Sequence, residues 1–224
     1  MAVNKEAYEQ LIADLGSHHT TLVAVSKTKS VEDIKELYDL GQKDFGENYV
    51  QELTEKQTQL PKDIHWHFIG HLQSNKVKQI ASFIHLVQSV DSLKLLQEIN
   101  KQSQKNNRII DCLLQIHIAQ EETKFGLDEN ELEILINTNA SELKNIRIVG
   151  LMGMASFTDN MEKVRNEFRY LKSLFDKYSQ HQTSNFKLQT LSMGMSSDYT
   201  IAIEEGSNMV RIGSLLFGAR NYKQ

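Results

Sequence analysis

The sequence holds one cysteine, Cys112, and one proline, Pro61. A lone cysteine excludes an internal disulfide, so folding rests on packing, and the chain is expected to work in a reducing cytoplasm. Cys112 lies inside an apolar run and reads as a small core residue rather than a nucleophile. Proline is scarce and no low-complexity stretch reads as a linker, so residues 1–224 are expected to form a single domain. No apolar run approaches the roughly 20 residues that span a bilayer. The segment Met1–Glu6 lacks the apolar core of a secretion signal. Charge of one sign is not concentrated anywhere: 25 basic and 29 acidic residues are interspersed, for a net charge of -4. Nothing therefore points to nucleic acid or to an anionic membrane as partner, although a local positive site for a phosphate stays compatible with the pattern.

What is present is a regular alternation. Asn4–Ser17 reads as a helix, with Tyr8, Leu11, Ile12 and Leu15 at helical spacing. Short β-branched or apolar runs then recur at Leu22–Ser26, Asp44–Asn48, His65–Gly70, Leu86–Val90, Asp111–Ile118, Ile148–Met154, Leu188–Met193 and Met209–Gly213. Helical patterns separate them. Ser30 is an N-cap with Gly41 as the stop, Val50–Gln59 and Ser74–Ser82 follow, and Asp91 or Ser92 opens the next. Asp128 opens another, Met161–Ser179 is the longest, and Tyr199–Glu205 and a last turn at Ser214–Gly218 close the series. Strict alternation implies parallel pairing with right-handed crossovers. Eight units predict an α/β fold, a (β/α)8 TIM barrel with an extra N-terminal helix. An open doubly wound sheet would have fewer strands and a glycine-rich turn after the first. Here that turn is Ser26-Lys27-Thr28-Lys29-Ser30.

In such a barrel the chemistry sits at the C-terminal ends of the strands. The first strand ends in Lys27, an amine whose pKa falls on desolvation and which can form a Schiff base with an aldehyde. Its bland alternative is a lysine that caps a strand and points to water. The second strand gives Glu47 and Asn48, the third Gly70 and His71, and the fifth leads toward Lys124. Lys124 either faces solvent or reaches across the barrel mouth, and Lys29 reads as solvated. The sixth and seventh strands both end in Met-Gly-Met, at Met152–Met154 and Met193–Met195. These methionines are core filler or the polarizable walls of a ring site. The last two units suit a phosphate: Ser192, Ser196 and Ser197 offer hydroxyls, and Gly213-Ser214 offers backbone N–H groups at a helix start. The alternative there is a set of ordinary caps and a packing glycine. Arg211, within an apolar strand, needs a partner. It is either a donor to an anion or ring nitrogen or half of a buried ion pair, with Glu47 as candidate, and the two roles are compatible. His65 and His67 alternate on one strand with His71 nearby. No cysteine or carboxylate completes a recognisable metal spacing around them, so no metal is expected.

Several ordered motifs carry a resemblance. Ala24-Val25-Ser26-Lys27-Thr28-Lys29, Phe45-Gly46-Glu47-Asn48-Tyr49-Val50-Gln51-Glu52 and His67-Phe68-Ile69-Gly70 with Leu72-Gln73-Ser74-Asn75-Lys76 are three. Gly150–Met154, Ser192–Ser196 with Asp198, and Val210-Arg211-Ile212-Gly213 with Phe217–Arg220 complete the set. Over nearly the full chain these resemble the YggS/PROSC family of pyridoxal 5′-phosphate (PLP) homeostasis proteins. The resemblance implies a PLP-binding barrel similar to the N-terminal domain of alanine racemase, acting as a carrier or regulator of the vitamin B6 pool without established turnover. It implies that Lys27 holds PLP as a Schiff base, that Arg211 faces the pyridine nitrogen, and that Ser192, Ser196, Gly213 and Ser214 hold the phosphate. Asn48, Met152 and Met193 are expected to line the ring, and Lys124 to take part in PLP exchange.

An arginine opposite the pyridine nitrogen disfavours the protonated ring that makes PLP a strong electron sink. Racemisation by two bases would also need a second acid/base from another domain or subunit, and the sequence stops at Gln224, just after the eighth unit. The expected protein is therefore a cytoplasmic, monomeric PLP carrier, with PLP-dependent apo-enzymes as its recipients. The alternatives are a low-efficiency PLP-dependent amino-acid racemase and a Schiff-base aldolase that uses Lys27 without PLP.

Overall fold

The computed structural model describes residues 3–119, 125–138 and 142–218. These form eight parallel strands, β1 Thr21–Val25, β2 Asp44–Glu47, β3 His65–Phe68, β4 Leu86–Val90, β5 Ile110–Ile116, β6 Ile146–Gly153, β7 Phe186–Ser192 and β8 Met209–Ile212. Each strand pairs with the next in sequence, and β8 closes on β1 with Val23 opposite Arg211, so the sheet is a closed barrel. The predicted (β/α)8 fold is thus the observed one.

The helices are α1 Lys5–Ser17, α2 Val31–Asp39, α3 Val50–Gln59, α4 Val77–Ile80, α5 Leu93–Lys105, α6 Glu129–Thr138, α7 Met161–Ser179, α8 Tyr199–Glu204 and α9 Ser214–Phe217. Local chemistry sets their starts. Ser30 and Asp33 form a capping box on α2, Ser92 accepts from Leu95 N at α5, and Asn160 accepts from Lys163 N at α7. The expected helix over Ser74–Ser82 is instead a 3-10 turn at Ser74–Lys76 running into the single turn of α4, and neither piece has a side-chain cap. Helix α1 is the extra N-terminal one, and Asn4 N donates to Leu216 O of α9.

Strand alternation decides what faces where. Phe45, Trp66, Phe68, Cys112, Leu114, Leu151 and Leu191 point outward into the apolar layer shared with the helices. Burial pushes the Cys112 thiol pKa up, in keeping with a packing role. The opposite parity points inward, where Val23, Leu86, Leu113, Met152 and Met209 pack against one another and fill the barrel. Helix α7 lays Val164, Phe168, Leu171 and Leu174 on this outer layer. Phe168 is fully buried. Phe168→Ala is expected to lower the unfolding free energy by about 3–5 kcal/mol in urea titrations. A loss below about 1 kcal/mol would show that α7 is not packed as described.

Candidate functional site

The C-terminal end of the barrel opens into a cavity of about 430 Å³. Its lining comes from the ends of six strands and from the β6–α7 and α9 segments. Inward parity carries Val25 and Lys27 into it from β1, Asn48 from β2, Ile69 from β3, Met154 from β6 and Arg211 with Gly213 from β8. Met195, Ser196 and Ser197 enter from the β7–α8 turn. Two glycines make this geometry attainable. A Cβ on Gly70 would lie 2.5 Å from Asn48 O, so only glycine lets the β3 exit pass the backbone that presents Asn48. Gly194 has φ +94 and would press a Cβ to 2.6 Å from the Ala202 side chain, which ties the Met-Gly-Met turn to α8.

Most of the predicted site residues meet here. Lys27, Asn48, Ser196, Arg211, Gly213 and Ser214 share the cavity wall. Gly213 N donates to Ser196 Oγ at 3.4 Å, which brings the β7 and β8 loops together. Three of the predicted positions do not line the cavity. Met193 has outward parity and is buried in the layer between barrel and helices, while Met195 lines the wall. Met152 points inward, one layer too deep, in the packed interior, and Met154 takes the wall position. Ser192 is fully buried beneath the cavity and acts on it through Arg211. Lys124 lies outside the described residues.

Lys27 is held by an ionic clamp behind it. The Lys56 ammonium, 5 % exposed, donates to Ser26 O, Glu47 Oε1 and Glu52 Oε1 at 2.8, 2.7 and 2.6 Å. Glu47 Oε1 also accepts from Ser26 Oγ, and Glu52 Oε1 from Thr28 N. The residues on both sides of Lys27 are thereby pinned, and Thr28 is kept at φ +63, a conformation rare for a β-branched residue. Desolvation pushes the Glu47 carboxyl above its usual range, while the Lys56 charge pulls against that rise. Glu47 has outward parity, so it serves Lys56 and not Arg211. The proposed Arg211–Glu47 pair is absent among the described residues.

Arg211 is answered by neutral groups instead. Its guanidinium, 4 % exposed, donates from Nη1 to Ser192 Oγ at 2.6 Å and from Nη2 to Gly153 O at 2.9 Å. Desolvation pushes its pKa down to about 10, against the pull of Asp198, so it stays a cation at neutral pH. From Ser192 the chain of hydrogen bonds continues inside the barrel. Ser192 Oγ lies 2.7 Å from Gln88 Oε1, Gln88 Nε2 lies 2.9 Å from His67 Nδ1, and His67 Nε2 lies 2.9 Å from Asp44 Oδ1. Its direction follows from its ends. A guanidinium only donates and a carboxylate only accepts. With His67 donating only at Nε2, the Ser192 proton goes to the Gln88 oxygen, the Gln88 amide to His67 Nδ1, and the His67 Nε2 proton to Asp44. Burial works against ionised Asp44, but hydrogen bonds from His67 and His65 hold its pKa below the usual value. Sequence spacing did not reveal this chain, because its five members come from five different strands. His71 takes no part: it pairs with Asp91 at 3.1 Å and stacks on Phe125.

Comparisons with known proteins fit this geometry. Residues 3–221 match the family model described as alanine racemase, N-terminal domain. The chain is 43% identical to the pyridoxal phosphate homeostasis protein of Aquifex aeolicus, over 94% of this chain and 91% of that one. The chain belongs to the family of pyridoxal phosphate homeostasis proteins. The Homo sapiens homeostasis protein is 38% identical over 100% of this chain and 86% of its own. A solved structure of PipY from Synechococcus elongatus PCC7942 with PLP bound superposes with a TM-score of 0.84 at 34% identity, covering 95% of this chain and 100% of that one.

In this homeostasis-family barrel, the clamp behind Lys27 predicts a specific energetic signature. Lys56→Met leaves the buried Glu47 charge unanswered and is expected to destabilise the fold by about 3–5 kcal/mol in chemical denaturation. Adding Glu47→Gln to that variant is expected to recover part of the loss. A loss under about 1 kcal/mol, as for an exposed pair, would contradict the clamp.

Proposed function

We propose that this protein binds PLP in the barrel mouth, anchored covalently at Lys27, and serves intracellular PLP homeostasis by holding and releasing the cofactor. The observation that carries the reading is one cavity that joins an amine, a buried guanidinium and the Ser196, Gly213 and Ser214 segments. The donor set fits the cofactor. Asn48 Oδ1 is buried at the cavity without a hydrogen-bond partner among the described residues, as expected of an acceptor that awaits a ligand donor. Ser196, Gly213 and Ser214 suit a phosphate, and Met154 and Met195 suit the faces of an aromatic ring. The PLP-bound relative with the same barrel supports the assignment.

PLP supplies an aldehyde and an electron-withdrawing ring when bound. Lys27 Nζ is the nucleophile for that aldehyde, held in place by the clamp on Ser26 and Thr28. Arg211 presents a permanent cation from the barrel side, which opposes protonation of a nearby ring nitrogen. The described lining offers Lys27 and Lys29 as amines but neither a carboxylate nor a phenol, and Lys29 Nζ donates to Phe217 O at 2.8 Å. A two-base racemisation thus lacks an evident partner in the described wall, which favours carriage over turnover. We further infer that the protein works as a monomer in the cytoplasm and passes PLP to apo-enzymes that depend on it.

The test is borohydride reduction of the PLP-loaded protein followed by peptide mapping. Wild type is expected to carry the reduced adduct on Lys27, and Lys27→Ala to lose it while keeping weaker, reversible PLP binding. No adduct in wild type, or an equal adduct on another lysine, would overturn the anchor. Alanine turnover well above that of free PLP, followed by product chirality, would overturn the carrier reading in favour of the racemase.

A further inference from the structure

At the opposite end of the barrel from Lys27, the first residues of β2 and β3 meet the turn before β4. There Asp44, His67 and His85 bring a carboxylate oxygen and two imidazole nitrogens within 4.8 Å of one another. The carboxylate that the histidine spacing lacked in sequence is supplied by the neighbouring strand: Asp44 lies opposite His65 in the β2–β3 register. We propose that Asp44, His67 and His85 form a binding site for a borderline divalent transition-metal cation of the Zn²⁺ class.

Four features carry this. The donor set, two imidazoles and a carboxylate, is one that Zn²⁺ accepts with a position left over. A tetrahedral Zn²⁺ wants its donors about 3.3 Å apart, given bonds of about 2 Å. Asp44 Oδ1 and His67 Nε2 already stand 2.9 Å apart, and a nitrogen of the exposed His85 lies within 4.8 Å of both other donors. His65 is a further imidazole close to this trio, with its Nδ1 3.3 Å from the same Asp44 oxygen. Finally, Gln88 stands 2.9 Å from the other His67 nitrogen, where its oxygen, once turned inward, would accept the proton that a metal-binding imidazole donates outward.

Metal at His67 Nε2 requires the lone pair of that nitrogen. The proton now given to Asp44 would then sit on Nδ1, with the imidazole still neutral. Gln88 would have to turn its oxygen toward His67 and its amide toward Ser192. Occupancy at the base would in this way reverse the His67–Gln88 and Gln88–Ser192 hydrogen bonds, up to the Arg211 donor that cannot reverse.

The experiment is calorimetric titration of Zn²⁺ into the full, tag-free chain, repeated with Co²⁺ for its visible absorption. One saturable site per chain is expected, weakened about tenfold or more by His85→Ala and by Asp44→Asn. His85→Ala removes an exposed ring and leaves the folded core untouched, so its circular dichroism should match wild type. A double His18→Ala/His19→Ala variant removes the adjacent exposed histidine pair and should leave affinity unchanged. No saturable binding, affinity unaltered by His85→Ala, or affinity lost with His18 and His19 would each overturn the proposal.

Discussion

A guanidinium buried inside a β-barrel must be answered, and the way Arg211 is answered organises the rest of this molecule. Glu47, at the end of β2, faces the wrong way to help, while Asp198 supports the cation through its charge. The compensation instead runs inward, through Ser192, Gln88 and His67, to Asp44 at the far end. Ser192, Gln88 and His67 each accept one hydrogen bond and donate another, so all three are paired on both sides. The dipoles align from cation to anion, and in a low-dielectric interior aligned hydrogen bonds strengthen one another. The barrel thereby keeps a permanent positive charge under the cavity with neutral groups, not a carboxylate, as its hydrogen-bond partners. That matters chemically: a carboxylate there would favour a protonated ring and a strong electron sink, whereas a cation disfavours both.

The second constraint is parity. Along each strand the inward residues stack in layers from base to mouth. On β8, Met209, Arg211 and Gly213 are successive inward positions, and they supply packing, charge and close approach in turn. On β1 the same alternation runs Val23, Val25, Lys27, so the amine arrives at the mouth on a wall of valines. Outward positions build a separate polar device: Ser26 and Glu47 meet Lys56 of α3, and this clamp fixes the loop that bears Lys27. Two buried charge systems, one inside the barrel and one outside, thus hold Lys27 and Arg211 independently.

Much of this could be read from the chain. Alternating short apolar runs and helical stretches announce eight βα units, and the strand-end rule selects Lys27, Asn48, Ser196, Gly213 and Ser214 without a structure. What could not be read depended on register. Each Met-Gly-Met segment offers two methionines of the same parity. Which of Met152 and Met154 reaches the cavity depends on depth along β6, and which side the β7 methionines face depends on where β7 ends and its turn begins. Spacing in sequence carries neither. Partnerships between strands were equally hidden. Asp44, His67, Gln88, Ser192 and Arg211 are far apart in sequence, and only barrel closure places them in line. The Lys56 contact to Glu47 was hidden because a helix lysine reads as solvated until packing turns it inward.

The central claim, that the Arg211 charge sets the direction of the whole buried chain, is tested most directly at His67. Nitrogen-15 NMR of the metal-free protein at neutral pH reports which ring nitrogen carries the proton. The expected result is a neutral His67 protonated at Nε2, with Nδ1 accepting from Gln88. A His67 protonated at Nδ1 would contradict it, because Gln88 would then be reversed and the Ser192 proton would have no acceptor in the chain.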